Sequence, residues 1–257
     1  MSTSTFGRQK DRALARPFLT ARWEDLVLIN YSCPIQLLEP LTPTGTALDL
    51  WNGDAIVSLV GFMFRNTRVA GVRVPFHETF EEVNLRFYVR RLTSAGEVRR
   101  AVVFVRELVP RAAIAAVARW LYNEPYLAVP MDHQSSLSEG HGGRAGYSWS
   151  YRGETFALRA EVSGFPGPAA PGSEAEFITE HYWGYTRQRD GGTMEYQVEH
   201  PRWSVWQAAS TSVTGPMASL YGSAFGEALS RTPRSAFVAL GSEVSVYRGA
   251  RLDREMP

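Results

Sequence analysis

The sequence predicts an α+β domain that is mostly antiparallel β, its sheet curved into a barrel-like form with a few helices beside it. Three observations lead there. Segments that alternate apolar and polar residues recur along the chain, which is the pattern of strands with two unlike faces. There are about ten such segments, and most are joined by turns built on Gly, Asn or Asp, as in an antiparallel sheet. No period typical of a solenoid or propeller is present. The 257 residues suffice for one large domain. Residues 1–16 are polar and basic and are expected to form a disordered arm, leaving 17–257 as a single domain.

The elements follow in order. Phe18–Asp25 is expected to contain a turn of helix, and Leu26–Tyr31 to be a buried strand. Pro34–Leu41 opens with proline, which suits the first position of a short helix. Ala47–Trp51 reads as a short strand, Asn52-Gly53 as a hairpin turn, and Ala55–Val69 as a long strand with Gly61 at a bulge or bend. Met131–Arg144, rich in Ser, Gly and His, is expected to be a mobile loop or an edge. Gly146–Tyr151 and Glu154–Ser163 are strands joined by Arg152-Gly153. Ser173 and Glu176 have capping-box spacing for a short helix to about Glu180. Trp183–Gln188 and Thr193–Val198 form a hairpin, and Val205–Val213 and Ser235–Tyr247 are strands. Ala218–Leu229 has helical spacing weakened by Gly222 and Gly226.

The stretch His77–Pro130 organises the rest. In its first strand Glu82, Asn84, Arg86, Tyr88 and Arg90 alternate with Val83, Leu85, Phe87 and Val89, so one face packs on a core and the other is polar. A turn containing Gly96 leads to Val98–Val109, whose apolar middle implies burial on both faces until Arg106 and Glu107 interrupt it. Buried charges are costly unless paired, so this pair needs partners or a role. Hairpin register decides which of the two shares a face with Arg86, and one residue of slip reverses the answer. Arg111–Tyr122 is Ala-rich and is expected to be a helix stopped at Asn123-Glu124-Pro125.

Composition narrows the function. The net charge of +1 gives no field for nucleic acid or an acidic membrane. No apolar run approaches a membrane span of roughly 18 residues, and the N-terminus has no hydrophobic signal core, which leads to an expected cytoplasmic location. Cys33 is the single cysteine, so no disulfide can form within the chain. His77, His133, His141, His181 and His200 are scattered without metal-site spacing, although His181 and His200 flank one hairpin. No metal and no other cofactor is expected. There is no GxSxG nucleophile elbow, and Gly140–Gly146 lacks the setting of a phosphate loop.

The polar group of the central hairpin remains. Arg86 and Arg106 in a partly buried pocket would suit a small anionic ligand such as a carboxylate. Glu82 or Glu107 could balance them or act as catalytic acid or base if burial raises its pKa. Asn84, Tyr88, Tyr126 and Trp183, with Trp51 and Tyr122, would supply contacts and walls. An internal ion-pair network that only holds the sheet together is nearly as good an account. Partners are otherwise open, a homo-oligomer among them.

Phe80–Arg90 (FEEVNLRFYVR), Trp23-Glu-Asp-Leu26 with Asn52–Phe64, Phe177–Tyr185 (FITEHYWGY) and Val198–Trp203 together resemble the uncharacterised YqjF-like proteins over Phe18–Val246. That family is similar in fold to acetoacetate decarboxylase, so the resemblance implies a conical antiparallel barrel with a central cavity. In the decarboxylases an Arg-Glu pair leads to Pro-Lys-Lys, and a lysine forms a Schiff base. The comparable run here is Arg106-Glu107-Leu-Val-Pro110-Arg111-Ala112, with Arg111 and Ala112 where the lysines would stand. Lys10 is the single lysine of the chain. The resemblance therefore implies the cavity, lined by Arg106, Glu107 and Arg111, without lysine-dependent decarboxylation.

Overall fold

The computed structural model describes residues 16–112 and 123–252. Apart from Arg16, Arg111 and Ala112, the arm expected at 1–16 and the helix expected at 111–122 lie outside the described residues. The strands are β1 (Leu19–Cys33), β2 (Ala47–Leu48), β3 (Ala55–Val69), β4 (Val72–Arg73), β5 (Phe80–Leu92), β6 (Val98–Val109), β7 (Tyr126–Ala128), β8 (Met131–Ser135) and β9 (Gly142–Tyr151). Then follow β10 (Glu154–Ser163), β11 (Gly167–Pro168), β12 (Trp183–Arg187), β13 (Thr193–Glu199), β14 (Ser204–Gln207), β15 (Ser210–Thr214), β16 (Ser235–Val246) and β17 (Ala250–Arg251). The helices are short: Ile35–Leu38, Glu174–Thr179, Met217–Tyr221 and Ser223–Ser230.

Seven strands pair in a ring, β16-β1-β3-β5-β6-β12-β13, which returns to β16. The ring is antiparallel except where β12 runs parallel to β6, Trp183 beside Ala101 and Gly184 beside Val102. A second sheet, β15-β10-β9-β8, packs on its outer side. Alternation splits the apolar residues into two clusters. Val27, Ile29, Val57, Leu59, Val83, Leu85 and Phe87 face outward onto Tyr147, Trp149, Phe156 and the helices Met217–Ser230. Leu28, Ile56, Val60, Phe62, Phe64, Phe80 and Val102 face the interior of the ring together with Trp203 and Phe237.

Several expectations change in detail. Phe18–Asp25 holds no helical turn: β1 runs through it, paired with both β16 and β3, as the alternation of Leu19, Ala21 and Trp23 with Thr20, Arg22 and Glu24 allows. Between Glu24 and Val27, β1 carries a bulge opposite Gly61–Met63, with Asp25 at φ 56°. Met131–Arg144 is an edge strand and the start of β9. Val205–Val213 divides into β14 and β15, which belong to different sheets. The helical spacing after Ala218 is broken at Gly222, whose φ of 87° ends one short helix and begins the next. Ser173 does cap its helix, its Oγ accepting from the Glu176 backbone N–H at 3.2 Å.

Gly61 has a packing role. A Cβ there would lie 2.5 Å from Cδ2 of Tyr147, so the glycine lets the second sheet sit directly on β3. Gly61→Ala is therefore expected to destabilise the fold by about 1–3 kcal/mol through overpacking. Urea denaturation measures this, and an unchanged midpoint would remove the close approach from the account.

Candidate functional site

The interior face of β5 presents Phe80, Glu82, Asn84, Arg86 and Tyr88. The ladder to β6 explains what meets them. Asn84 pairs with Glu107 and Leu85 with Arg106, but Arg86 pairs with Phe104, so Val105 is an extra residue on β6. Such a bulge reverses the facing of the residues beyond it. Val102 and Phe104 point inward on one side of the bulge, and Glu107 points inward on the other. Arg106 goes to the outer face with Leu85, half-buried, where its charge acts on Tyr221.

The interior holds a cavity of about 290 Å³. Most of its wall is apolar, with Trp23, Phe62, Phe64, Phe80, Phe104 and Trp203 prominent. Its polar end collects Glu82, Asn84, Arg86, Glu107, Glu124, Tyr126 and Tyr196. Tyr126 O–H donates to Glu82 Oε2 at 3.2 Å, and Asn84 Nδ2 donates to Glu82 Oε1 at 3.0 Å. Tyr196 O–H donates to Glu124 Oε1 at 2.5 Å. The Tyr196 ring packs directly on Gly184, where any side chain would collide with it. Arg86 Nη2 donates to the Ile178 carbonyl at 3.2 Å. Asn84 Oδ1, Arg86 Nε and Glu107 Oε2 at this end are buried without a hydrogen-bond partner among the described residues, as are Trp23 Nε1, Thr67 Oγ1 and both ring nitrogens of His181 elsewhere on the wall.

Burial dominates the electrostatics. It pushes Glu82 up to about 7, with the neighbouring Glu124 adding to the rise and Asn84, Tyr126 and Arg86 opposing it. Glu124 is pushed up to about 7 by the same desolvation. Glu107 rises well above its ordinary value, through burial and then the charges of Glu124 and Glu82. Around neutral pH this end of the cavity therefore holds protonated carboxyl groups. His181 lies beside it with Nε2 3.6 Å from Asp49 Oδ2, and burial lowers its pKa to about 4, so the ring is neutral. Burial also lowers His200, which stacks on Trp203 at 4.1 Å.

Of the residues expected at a site, Glu82, Asn84, Arg86, Glu107, Tyr126 and Trp183 line the cavity together. Tyr88 faces the same interior but is covered: its OH lies 2.6 Å from Ser58 Oγ and its ring 4.6 Å from that of His181. Arg106 and Arg111 are corrected. The bulge turns Arg106 outward, and Arg111 is exposed beyond the end of β6. Trp51 packs on Phe177 instead of the cavity wall, and Tyr122 lies outside the described residues. Glu124, Tyr196 and Trp23 were not anticipated as site residues. Glu124 stood in a helix-stop motif, and its burial depends on contacts with Thr186 and Tyr196, more than 60 residues away in sequence. Among the described residues no group of three His, Cys, Asp or Glu side chains is placed to hold a metal ion. No helix of the described residues is long and apolar enough to cross a membrane.

Comparison with known proteins adds a family. The model of the DUF2071 family, described as an uncharacterised conserved protein, matches residues 20–243. The chain belongs to this family. The DUF2071 chain is also similar to the uncharacterised protein YqjF of Bacillus subtilis, 27% identical over 183 residues that cover 70% of this chain and 72% of that protein. In fold the DUF2071 chain resembles an acetoacetate decarboxylase-like enzyme from Sphingomonas wittichii, with TM-score 0.63 at 14% identity over 93% of this chain and 95% of the other. It also resembles the enduracididine biosynthesis enzyme MppR complexed with pyruvate, with TM-score 0.66 at 13% identity over 95% and 93% of the two chains. The barrel-like antiparallel architecture of this DUF2071 protein is thus that of the acetoacetate decarboxylase-like fold.

The raised carboxyls make stability depend on pH. Between the ordinary glutamate value of 4.5 and about 7, the folded chain holds more protons on Glu82, Glu107 and Glu124 than the unfolded chain does. Each group therefore removes stability as pH rises through that window, by at most about 1.4 kcal/mol per pH unit. His181 and His200, held neutral, act in the opposite direction, so the carboxyl part is read as a difference. Glu124→Gln is expected to gain stability relative to the wild type as pH rises from 5 to 7.5, measured by urea denaturation. A difference that does not vary with pH would contradict the raised carboxyl.

Proposed function

We propose that this protein binds a small organic molecule bearing a carbonyl or carboxyl group in the ring cavity. The apolar body of the ligand rests among Trp23, Phe62, Phe64, Phe80 and Trp203, and its polar group meets Asn84, Arg86 and Glu107. One observation carries the reading: buried polar atoms without partners among the described residues, Asn84 Oδ1, Arg86 Nε and Glu107 Oε2 among them, gather at the polar end of a mostly apolar cavity. Buried donors and acceptors without partners are destabilising, and a ligand that pairs with them recovers that loss. Small-molecule sites have this character, a mostly apolar hollow with a few convergent polar groups. The presence of pyruvate in MppR, a protein of similar fold, supports a ligand of this size and class.

Glu82 and Glu107 are suited to acid–base work on such a ligand. A protonated Glu107 can donate to a carbonyl oxygen, and Glu82, poised at about 7, can accept or return a proton near physiological pH. Any transformation here proceeds without a Schiff base. That chemistry needs an amine nucleophile; no lysine stands among the described residues of the cavity wall or in the Arg106–Ala112 run, and the chain's one lysine, Lys10, lies outside the described residues. The competing idea of an internal ion-pair network accounts for other residues. Arg91 and Arg99 are held by Glu195, and Arg100 by Asp49, whereas Arg86 forms no salt bridge among the described residues.

A thermal-shift panel of small aryl and alkyl ketones, aldehydes and acids tests the proposal on the wild type and on Val60→Phe, which narrows the apolar wall. A ligand at one hundred times its Kd stabilises by about 2.7 kcal/mol, a rise of about 5–10 °C for a domain of this size. The wild type is expected to show such a rise with some members of the panel, and Val60→Phe a smaller one. No rise with any compound would overturn cavity binding.

A further inference from the structure

The charge inventory of the cavity selects the head group of its ligand, an inference that rests on the binding reading just given. Three carboxyl groups and one guanidinium share the polar end. Glu82, Glu107 and Glu124 are all buried, and Arg86 is the single Arg or Lys side chain on the wall among the described residues. His181 and His200 add no compensating charge, because burial keeps both neutral. Uncompensated charge in such surroundings is expensive, so the site rests near neutrality. One carboxylate then offsets Arg86, and the other two glutamates keep their protons.

This balance treats ligands of different charge differently. An uncharged carbonyl compound enters without altering it. A carboxylate finds the one guanidinium already offset and must bring a proton in with it. An organic ammonium ion must expel a proton on binding. The atoms awaiting partners agree with the first case. Glu107 is 1% exposed, lines the cavity and has Oε2 unpartnered. It is faced by Glu82, Asn84 and Arg86 from β5, by Glu124 and Tyr126 from the segment after β6, and by Tyr196 from β13. The tyrosine hydroxyls are taken up by these carboxyl groups, Tyr126 by Glu82 and Glu107 and Tyr196 by Glu124. Among these residues the unpartnered donors are Arg86 Nε–H and the protonated Glu107 carboxyl at Oε2, and the carboxyl is the uncharged one of the two.

We propose that the cavity selects an uncharged carbonyl compound with an aryl or alkyl body, whose oxygen accepts a hydrogen bond from the Glu107 carboxyl O–H, and that it discriminates against carboxylates at neutral pH.

Three probes with one body and different heads test this: 4-phenylbutan-2-one, 3-phenylpropanoate and 3-phenylpropan-1-amine. Their affinities for the full chain are measured near neutral pH by ligand-observed NMR and calorimetry. The ketone is expected to bind roughly tenfold or more tightly than either ion. Glu107→Gln, which keeps an N–H donor, should retain ketone binding. Glu107→Leu should weaken it by roughly tenfold or more. Should Glu107→Leu not fold, the comparison of the three heads on the wild type decides alone. Equal or tighter binding of the carboxylate or the amine overturns the selection and leaves cavity binding standing. Ketone affinity unchanged in a folded Glu107→Leu overturns the assigned donor. Failure of all three probes, together with an empty thermal-shift panel, overturns the binding reading itself and the selection with it.

Discussion

One extra residue in β6 sets the character of the cavity. Val105 has no partner on β5, and the ladder steps from Arg86 opposite Phe104 to Leu85 opposite Arg106. An unbroken alternation would carry Val102, Phe104 and Arg106 to the same face. The polar end would then hold two guanidiniums and fewer carboxyls. With the bulge in place Glu107 enters and Arg106 leaves, and the balance turns from basic to acidic. The ratio of carboxyl to guanidinium groups inside the ring is therefore fixed by a backbone count. Bulges re-aim side chains at the rims of barrels and beside functional sites, which is their part here.

The acid end also depends on close packing elsewhere. Glu124 is held by the Tyr196 hydroxyl, and Tyr196 finds its place because Gly184 has no side chain to displace its ring. On the other flank, Ser58 Oγ donates to Asn30 Oδ1 at 2.6 Å, and Asn30 Nδ2 donates to Ser235 Oγ at 2.9 Å. This row satisfies the polar residues between β1, β3 and β16 and ends at the Tyr88 hydroxyl. It keeps Tyr88 under His181 and out of the open cavity. Residues of the same chemical type thus divide into those satisfied within the protein and those with unpartnered atoms on the cavity wall.

Much of the fold was legible because it rests on a period of two. β10 runs over the residues that alternation assigns it, β3 and β6 over their long apolar runs, and the turns at Asn52-Gly53 and Arg152-Gly153 are formed by residues with positive φ. What alternation cannot encode was missed. The shift at Val105 is a break in the pattern, and the local sequence Val-Val-Phe-Val-Arg-Glu carries no glycine to mark it. The interior face of β5 was readable residue by residue, whereas Glu124 and Tyr196 were not, since their meeting depends on β12 and β13 closing against β6. Phe18–Asp25 was readable in principle. Its alternation was masked by the bulge at Asp25, which interrupts the apolar run before Leu26.

The order of strands around the ring has a consequence for synthesis. β1 has β3 available to it early in synthesis, since Cys33 lies opposite Ala55. Its other edge waits for β16, which joins Leu19 to Val246, at the far end of the chain. Until β16 has been made, that edge of β1 is a row of backbone donors and acceptors without its native partner, beside Val27, Leu28 and Ile29. Such an edge is a template for pairing with a neighbouring nascent chain. Shielding of that edge by a chaperone, or quick arrival of the last strand, bears directly on the yield of folded protein.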